Sequence, residues 1–333
     1  MDRAGVKPTD VAIVVPVGGA APAWGRCAAS LAALDPPPGA IVAVIDGPND
    51  SLAETAASIG ARVVVMDARG GPARARNRGA QEVDNEVLLF VDSDIEAPSD
   101  LAARVAELFD IDGNLTAAIG SYDDSPADPK LVSQYRNLLH HFVHQNGREA
   151  ASTFWAGCGA VRRRAFVRVG GFDEDYPVPC IEDIELGSRL VSAGHTIRLV
   201  KGLQVKHLKR WRFVDMVTTD LLRRASPWTE LMLREGKMVN DLNVKVRDRL
   251  SVVLAFVALI SLAFAWLWPP LFVACAAAIV LMVAVNASLF RFFGRQRGWL
   301  FALAVLPLYW VYLLTCGLGF ALGIVRHLLG RTA

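Results

Sequence analysis

Short, uninterrupted apolar runs recur through the first ninety or so residues, and helical patterns separate them. Val11–Val17 (VAIVVPV), Ile41–Ile45 (IVAVI), Arg62–Met66 (RVVVM) and Glu86–Val91 (EVLLFV) are rich in β-branched residues and show no alternation with polar positions. Between and after them, Trp24–Leu34, Ser51–Ile59, Pro72–Glu82 and Ser99–Phe109 carry apolar residues at helical spacing. Strands without a polar face are buried on both sides, so the pattern predicts an α/β fold: a mostly parallel, Rossmann-like sheet with helices on both faces. Ligands in such sheets bind beyond the carboxyl ends of the strands. The residues just after each run therefore matter most: Gly18, Asp46, Asp67 and Asp92-Ser93-Asp94.

The pattern changes completely near residue 250. Leu250–Phe290 is a run of 41 residues without a formal charge, and Gly298–Val325 is a second run of 28. A bilayer crossing needs about 20 apolar residues, so the first run has to fold back on itself. Trp268-Pro269-Pro270 is the natural reversal point, since proline removes a donor and stops a helix. The expectation is an all-α membrane segment (250–333) of about three helices, 251–268, 271–290 and 299–325, the third tilted or kinked at Pro307. The loop Arg291-Phe-Phe-Gly-Arg-Gln-Arg297 is short and basic, which places it and everything before residue 250 in the cytoplasm. Three crossings would strand Arg326, His327 and Arg331 on the far side. A broken or re-entrant third segment, interrupted by Pro307 and Gly317, Gly319 and Gly323, is the alternative. The Gly319-Phe-Ala-Leu-Gly323 spacing reads as chance in so apolar a segment. Val11–Val17 is short, follows Asp10 and lacks a basic start and cleavage site, so it reads as a strand and not as a secretion signal.

Composition sharpens this division. The 333 residues are 53% hydrophobic and 20% charged, with a mean hydropathy of +0.33. The tail 250–333 contributes five arginines and no Asp, Glu or Lys, leaving an ordinary balance of 30 basic and 33 acidic groups before it. That excludes a fully soluble protein, a disordered chain and a purely membrane-embedded transporter. Residues 1–197 carry a net charge of −10, and residues 198–249 a net charge of +7. Positive charge beside the first span is attracted to anionic lipid. Phe213–Leu222 and Trp228–Leu233 add apolar residues at helical spacing, so 213–249 reads as amphipathic interface helices. The same segment lacks the interleaved aromatic platform of a nucleic-acid binder. Cys27, Cys158, Cys180, Cys275 and Cys316 have no metal-type spacing and read as free thiols.

Asp92 and Asp94 stand two apart on an extended chain and so face the same side. At a strand end they suit a divalent cation that shares its shell with phosphate, and they equally suit a solvated turn. Gly70–Gly79 opens a helix whose first amides attract anions, with Arg74 and Arg78 one turn apart; a plain basic helix face has the same sequence. Trp155–Gly159 and Gly170–Asp173 are glycine-rich turns that allow close backbone approach. Glu182, Asp183 and Glu185 start a helix, where acids favour the dipole and where one of them can also act as a positioned base. Lys206–Trp211 is charge-dense, fit either to grip a diphosphate or to lie at a bilayer surface.

In their order, the strand ending in Asp46-Gly47, the Gly70–Gly79 stretch with Ala-Arg-Asn, Asp92-x-Asp94, Gly170-Gly171-Phe172-Asp173-Glu174 and Glu182-Asp183 resemble the family 2 glycosyltransferases over roughly residues 9–212. The resemblance implies a cytoplasmic GT-A domain (1–212) that binds a nucleotide-sugar and inverts the anomeric centre in one displacement. It implies Asp183 as the catalytic base. It puts Pro16, Asp46, Arg74, Asn77, Asp92, Ser93, Glu182, Arg210 and Trp211 against the nucleotide-sugar, and Mg²⁺ or Mn²⁺ on Asp94. His207-x-x-Arg210-Trp211 is similar to the Gln-x-x-Arg-Trp motif of the family's membrane-bound synthases. With His in place of Gln, His207 stays open between a metal ligand, a pairing residue and a structural one. Two departures fall where the nucleotide base belongs: Ile45 precedes Asp46, and Val17-Gly18-Gly19 follows the first-strand proline. The nucleotide is accordingly left unassigned.

With the basic, apolar segment next to the first span, the expected activity is transfer of a sugar to a lipid or lipid-linked hydroxyl by an integral protein of the inner or plasma membrane. Anionic lipid is an expected partner and nucleic acid is not. The competing readings are a catalytically silent nucleotide-sugar-binding scaffold, a processive polysaccharide synthase, and a nucleotidyltransferase, whose usual basic loop after the first strand is missing here.

Overall fold

The structure is a computed structural model that describes residues 5–19, 21–236 and 245–330. Arg331 and residues 237–244 of the expected interface segment lie outside these. The chain divides into two compact units, one comprising Met1–Asp128 with Gly147–Lys209 and the other Pro129–Asn146 with Arg210–Ala333.

The first unit runs β1 (Val11–Val17), α1 (Ala21–Ala32), β2 (Ala40–Ile45), α2 (Asp50–Ser58), β3 (Arg62–Val65), α3 (Gly71–Ala80), β4 (Val87–Val91), β5 (Ile95–Glu96), α4 (Leu101–Ile111) and β6 (Ala117–Tyr122). After α5 (Leu131–Gln145), which belongs to the second unit, it resumes with β7 (Ala150–Ala151), β8 (Cys158–Arg162), α6 (Arg163–Arg168), α7 (Glu182–Ser192) and β9 (Ile197–His207). The strand order is β3-β2-β1-β4-β8-β6-β9-β5, with β7 paired to β9. β1, β2, β3 and β4 are parallel, as expected from their alternation with helices. β8 runs antiparallel to both β4 and β6, and β5 and β7 run antiparallel to β9, so the whole sheet is mixed. β6 and β9 pair in parallel again, so the antiparallel pairs are those made by β8 and by the short strands β5 and β7.

Every residue of β1 is buried, which is why its sequence shows no polar face. Val11, Ile13, Val15 and Val17 pack toward α1 and α4 with Trp24, Leu31, Val105 and Phe109. Ala12 and Val14 face the other way, toward Phe90, Phe154, Phe166, Phe172 and Leu186. Pro16 pairs only with Val44 of β2, because the ladder to β4 stops at Val14, so its missing N–H costs the sheet no bond. β1 has β2 on one side and β4 on the other. The strand order therefore reverses between β1 and β4, the switch point at which open α/β sheets bind ligands, and Asp92-Ser93-Asp94 follows β4 there. None of the five cysteines forms a disulfide; burial pushes the Cys158 thiol up to about 12.

The second unit joins α5 to α8 (Phe213–Thr218), a π-helical turn (Thr219–Ala225), α9 (Ser226–Glu235), α10 (Val246–Phe264), α11 (Pro270–Val285), α12 (Ala287–Arg297), α13 (Trp299–Ala304) and α14 (Leu306–Leu328). Its core gathers Tyr135, Leu138 and Phe142 of α5 with Trp211, Phe290, Phe293, Tyr309 and Leu313. Trp299–Leu328 is long and apolar enough to cross a membrane. It is irregular at Val305, between α13 and α14, two residues before Pro307, which sits in the first turn of α14, where no N–H is required. A sharper bend falls in the expected second span. α11 and α12 meet at 74° around Asn286, whose amide donates to Ser251 Oγ at 2.8 Å and to the Met282 carbonyl at 2.9 Å.

The Gly319–Gly323 spacing, expected to be chance, is a packing surface. A Cβ on Gly319 would lie 2.4 Å from Ala225 Cβ, and one on Gly323 2.5 Å from the Ser226 carbonyl oxygen. Both glycines admit the π-helical turn and α9 against α14. Arg326, one turn further on, reaches Glu230 Oε1 at 3.7 Å and Ser226 Oγ at 3.3 Å. Gly319→Leu is expected to force this helix pair apart at a cost of about 1–3 kcal/mol, read as a lower unfolding midpoint of the purified protein in detergent. An unchanged midpoint would show that the close approach is not required.

Candidate active site

The site is built from the ends of β2, β4 and β9 and the starts of α3 and α7. At the end of β2, the Asp46 carboxylate accepts the Gly70 N–H at 2.7 Å and the Gly71 N–H at 3.2 and 3.3 Å. The helix start expected to attract an anion is thus held by a carboxylate of the chain itself. Gly71 has φ +82°, and a Cβ there would lie 2.3 Å from the Pro177 carbonyl oxygen, so only glycine fits.

α3 presents three faces. Arg74 is largely exposed and its Nε lies 3.9 Å from Glu174. Asn77 is buried and turned to the Gly170–Glu174 segment: its Nδ2 donates to the Phe172 carbonyl at 2.8 Å and to Glu174 Oε1 at 2.9 Å, and its Oδ1 accepts the Phe172 N–H at 2.8 Å. Arg76, between them, is the arginine of the Ala-Arg-Asn stretch, to which the sequence assigned no role, and it organises the site. Its guanidinium is buried, lies 5.2 Å over the Phe172 ring, and donates to Asp92 Oδ1 at 2.8 Å and to Glu182 Oε1 at 2.9 Å. Burial alone would lower its pKa; Asp92, Glu182 and Asp183 outweigh that and raise it. A sequence signal was present. Arg76 shares its helix with Ala73, Ala75, Gly79 and Ala80, all small and buried, and a cation on such a face needs acidic partners.

Glu182 also accepts the Cys180 N–H at 2.8 Å, which fixes the start of α7. Next to it, Asp183 accepts the Ala156 N–H at 3.2 Å through Oδ2 and the Ile184 N–H at 2.8 Å through Oδ1. The adjoining Gly157 carbonyl accepts the Asp92 N–H at 3.4 Å. One turn, Trp155–Gly157, therefore spans from the second of the two acidic positions to the first. Asp92, Glu182 and Asp183 meet around Arg76, two of them by direct hydrogen bonds and Asp183 through its field.

Asp94 and His207 form the neighbouring corner. β5 pairs Ile95 with His207, and the Asp94 carbonyl accepts the Leu208 N–H at 2.8 Å. His207 Nε2 lies 3.9 Å from Asp94 Oδ2. The His207 ring stacks on Tyr122 at 3.9 Å and 11°, and Tyr122 meets Trp155 edge-on at 4.9 Å. Loss of solvation raises the Asp94 carboxyl above the ordinary range, with Lys209 drawing it part of the way back. Tyr122 is a second residue the sequence reading passed over. Ser93 faces the loop after β1, its Oγ 3.8 Å from where a Gly19 Cβ would stand. Arg210 and Trp211 belong to the second unit. There the Trp211 N–H donates to Ser133 Oγ at 2.8 Å and Arg136 lies 5.5 Å over its ring, while Arg210 is exposed.

Among the described residues no three His, Cys, Asp or Glu side chains converge as a closed metal site. Asp94 and His207 offer one hard oxygen and one imidazole nitrogen. Two protein donors fit a Mg²⁺- or Mn²⁺-class ion that takes the rest of its shell from phosphate and water, a mode such ions favour over an all-protein cage.

Residues 12–170 match the family described as Glycosyl transferase family 2, and residues 136–212 match one described as N-terminal domain of galactosyltransferase. No curated protein sequence matches the chain. Among solved structures, the mannosyltransferase PcManGT from Pyrobaculum calidifontis, in complex with GDP-Man and Mn²⁺, is similar over 99% of this chain and 90% of its own. That likeness has a TM-score of 0.56 at 18% identity. Glucosyl-3-phosphoglycerate synthase from Mycobacterium tuberculosis is similar over 69% of this chain and 81% of its own, with a TM-score of 0.49 at 15% identity. With a GT-A-like mixed sheet beneath an acidic cluster at its switch point, residues 12–170 are a glycosyltransferase family 2 domain, and the chain is a glycosyltransferase.

Proposed function

We propose that the protein is a membrane-bound, metal-dependent, inverting transferase that moves a sugar from a nucleotide-sugar to a hydroxyl of a lipid or lipid-linked acceptor. The observation that carries this reading is the meeting of Asp92, Glu182 and Asp183 around Arg76, with Asp94 and His207 paired at the same strand end. Asp94 and His207 would hold a divalent cation, which would supply positive charge to the departing diphosphate. Arg76 holds the Asp92 and Glu182 carboxylates in place by one hydrogen bond to each. Asp183 accepts the proton of the acceptor hydroxyl as the acceptor oxygen bonds the anomeric carbon and the bond to the diphosphate oxygen breaks, the diphosphate leaving with the electron pair. Asp46, tied to α3, is read with Pro16, Arg74 and Ser93 as the nucleotide side of the site. Asn77, its amide spent on Phe172 and Glu174, acts on it only by holding the Gly170–Glu174 segment. The complex of PcManGT with GDP-Man and Mn²⁺ supports both the class of donor and the cation.

Membrane attachment rests on the apolar Trp299–Leu328 helix and on the basic loop Arg291–Arg297, which orients the catalytic domain to the cytoplasm. Because Arg326 is drawn to Glu230 of α9, we read α14 as ending on the side of the interface helices, so that Arg326 is not stranded across the bilayer. One helix, or two counting the bent pair, passes as a span among the described residues, too few to enclose a growing polymer. That favours a single transfer to a lipid over processive synthesis.

Membranes containing the protein, supplied with Mn²⁺ and radiolabelled nucleotide-sugars, are expected to label the lipid extract. Chelation with EDTA is expected to abolish the label and added Mn²⁺ to restore it. Asp94→Ala is expected to reduce the rate by about 10²–10³, the scale for losing one electrostatic stabiliser of a leaving charge. No label on lipid, or equal labelling by Asp94→Ala, would overturn the proposal. Nucleotide binding without turnover would favour the silent scaffold.

A further inference from the structure

The strand register beside the Asp94–His207 corner is irregular. β6 and β9 run parallel and pair Ile119 with Leu199 but Ser121 with Gln204, so β9 advances five residues where β6 advances two. Gly120 stands at this step. A Cβ there would lie 2.3 Å from the Leu203 carbonyl oxygen, so the bulge needs a glycine opposite it. An unbroken register would set Tyr122 against Gly202. The bulge sets it against Val205 instead, two residues before His207. On the other side of β9, β5 holds the His207 backbone through the Ile95–His207 pair, directly after Asp94.

We infer that Tyr122 is the positioning residue for His207 as a cation ligand, an inference that rests on the cation reading of Asp94 and His207 above. The two ring centroids are 3.9 Å apart and the planes 11° from parallel, a face-to-face contact. On the edge of the same imidazole, Nε2 lies 3.9 Å from Asp94 Oδ2. An imidazole nitrogen offers its lone pair in the plane of the ring, so the residue that fixes the plane fixes where the ligand points. Contacts outside the ligand shell commonly do this by hydrogen bonds; here an aromatic face does it. Tyr122 is itself clamped. It is 8% exposed, and Trp155 meets it edge-on at 4.9 Å and 82°. The Trp155 indole lies over Gly157, where a Cβ would stand 2.5 Å from Cζ2. The row Trp155, Tyr122, His207 therefore starts at the turn whose Ala156 N–H binds Asp183. The contact also favours the loaded state, because an imidazole that carries a cation is electron-poor and the face of an aromatic ring is negative.

The experiment titrates Mn²⁺ alone into the full-length protein in detergent. Electron paramagnetic resonance reads both the affinity and the coupling of the bound ion to a nitrogen. Wild type is expected to show that coupling and His207→Ala to lose it. Tyr122→Leu is expected to bind Mn²⁺ about tenfold more weakly, the lower end for losing an outer contact of a ligand, with the nitrogen coupling reduced. Partial unfolding alone would lower the bound fraction and leave the coupling of the bound ion unchanged, so that result would count against the inference. Tyr122→Phe keeps the ring face and is expected to keep both affinity and coupling. If it is as weak as Tyr122→Leu, the hydroxyl acts and the stacking role is overturned. Wild-type affinity and coupling in Tyr122→Leu, with the coupling lost in His207→Ala, would overturn the inference and leave the cation reading standing. Unchanged coupling in His207→Ala, or no Mn²⁺ bound by wild type, would remove both. The expected pattern in a protein that transfers no sugar would sink the proposed function and leave the role of Tyr122 in place.

Discussion

Replacing Arg76 with Leu is expected to destabilise the catalytic domain by roughly 3–5 kcal/mol, the cost of leaving a buried carboxylate without its partner, and to abolish transfer. Arg76 and Glu182 are each about 5% exposed at the side chain, so water cannot take over the lost hydrogen bonds, whereas Asp92 at 31% keeps some access to solvent. Glu182 is therefore the residue that suffers. Removing it as well, in Arg76→Leu/Glu182→Leu, is expected to recover most of the unfolding midpoint, because apolar groups of similar volume replace a buried ion pair at little cost. Activity is expected not to recover, since Asp92 loses the donor that positions it. Arg76→Lys keeps the charge but not the two-armed fork, and is expected to be stable and slow. Thermal unfolding and initial rates on the same preparations separate the outcomes. A double variant as inactive and as unstable as the single would mean that Arg76 acts through packing on Phe172 and not through its charge.

Arg76 also marks where sequence reading reached its limit. Its neighbours Arg74 and Arg78 attracted notice because they share a face and a one-turn spacing. The structure leaves Arg74 loosely held and pairs Arg78 with Glu82 four residues on. The functional cation faces the opposite way, among small residues, and its partners lie 16 and 106 residues distant. Helical spacing identifies a face but not what that face meets. The Asp94–His207 pair is a similar case. Each residue was legible alone, but their approach depends on the antiparallel register of β5 with β9, which no local pattern encodes.

The fold was legible where burial leaves a trace in composition. Strands covered on both faces are continuously apolar, so β1, β2 and β4 and the helices between them stood out, and with them the switch point after β4. β3 is as apolar but lies at the sheet edge with Arg62 and Val65 exposed, so its sequence overstated its burial. α5 left a trace that was passed over. Tyr135, Leu138, Leu139 and Phe142 follow helical spacing, but three histidines and several amides dilute the run. Its place with the C-terminal helices, in spite of its position between β6 and β7, is a matter of long-range packing. In the membrane segment Pro307 marked the irregularity between α13 and α14, while the glycines sit where a neighbour packs. The sharper bend is at Asn286, an amide that hydrogen-bonds across to Ser251 and that composition does not mark.

Asp183→Asn is expected to lower the transfer rate by about 10²–10⁴, the range for losing a general base, with binding of the donor nucleotide unchanged. The substitution is nearly isosteric. The amide oxygen can still accept either the Ala156 N–H or the Ile184 N–H, and the position at the start of α7 tolerates a neutral side chain at the cost of one helix-dipole interaction, about 0.3–1 kcal/mol. What the amide cannot do is hold a proton taken from an acceptor hydroxyl. The loss should therefore fall on kcat and not on the donor KM, and the acid limb of the kcat/KM profile, which reports protonation of the base, should disappear. Glu182→Gln provides the contrast. It weakens the Arg76 pair, so it should lower stability and activity together while keeping the acid limb. If Asp183→Asn keeps its rate and its acid limb, the base lies elsewhere in the cluster. If it loses donor binding as well, Asp183 holds substrate, and the displacement proceeds without proton transfer to this carboxylate.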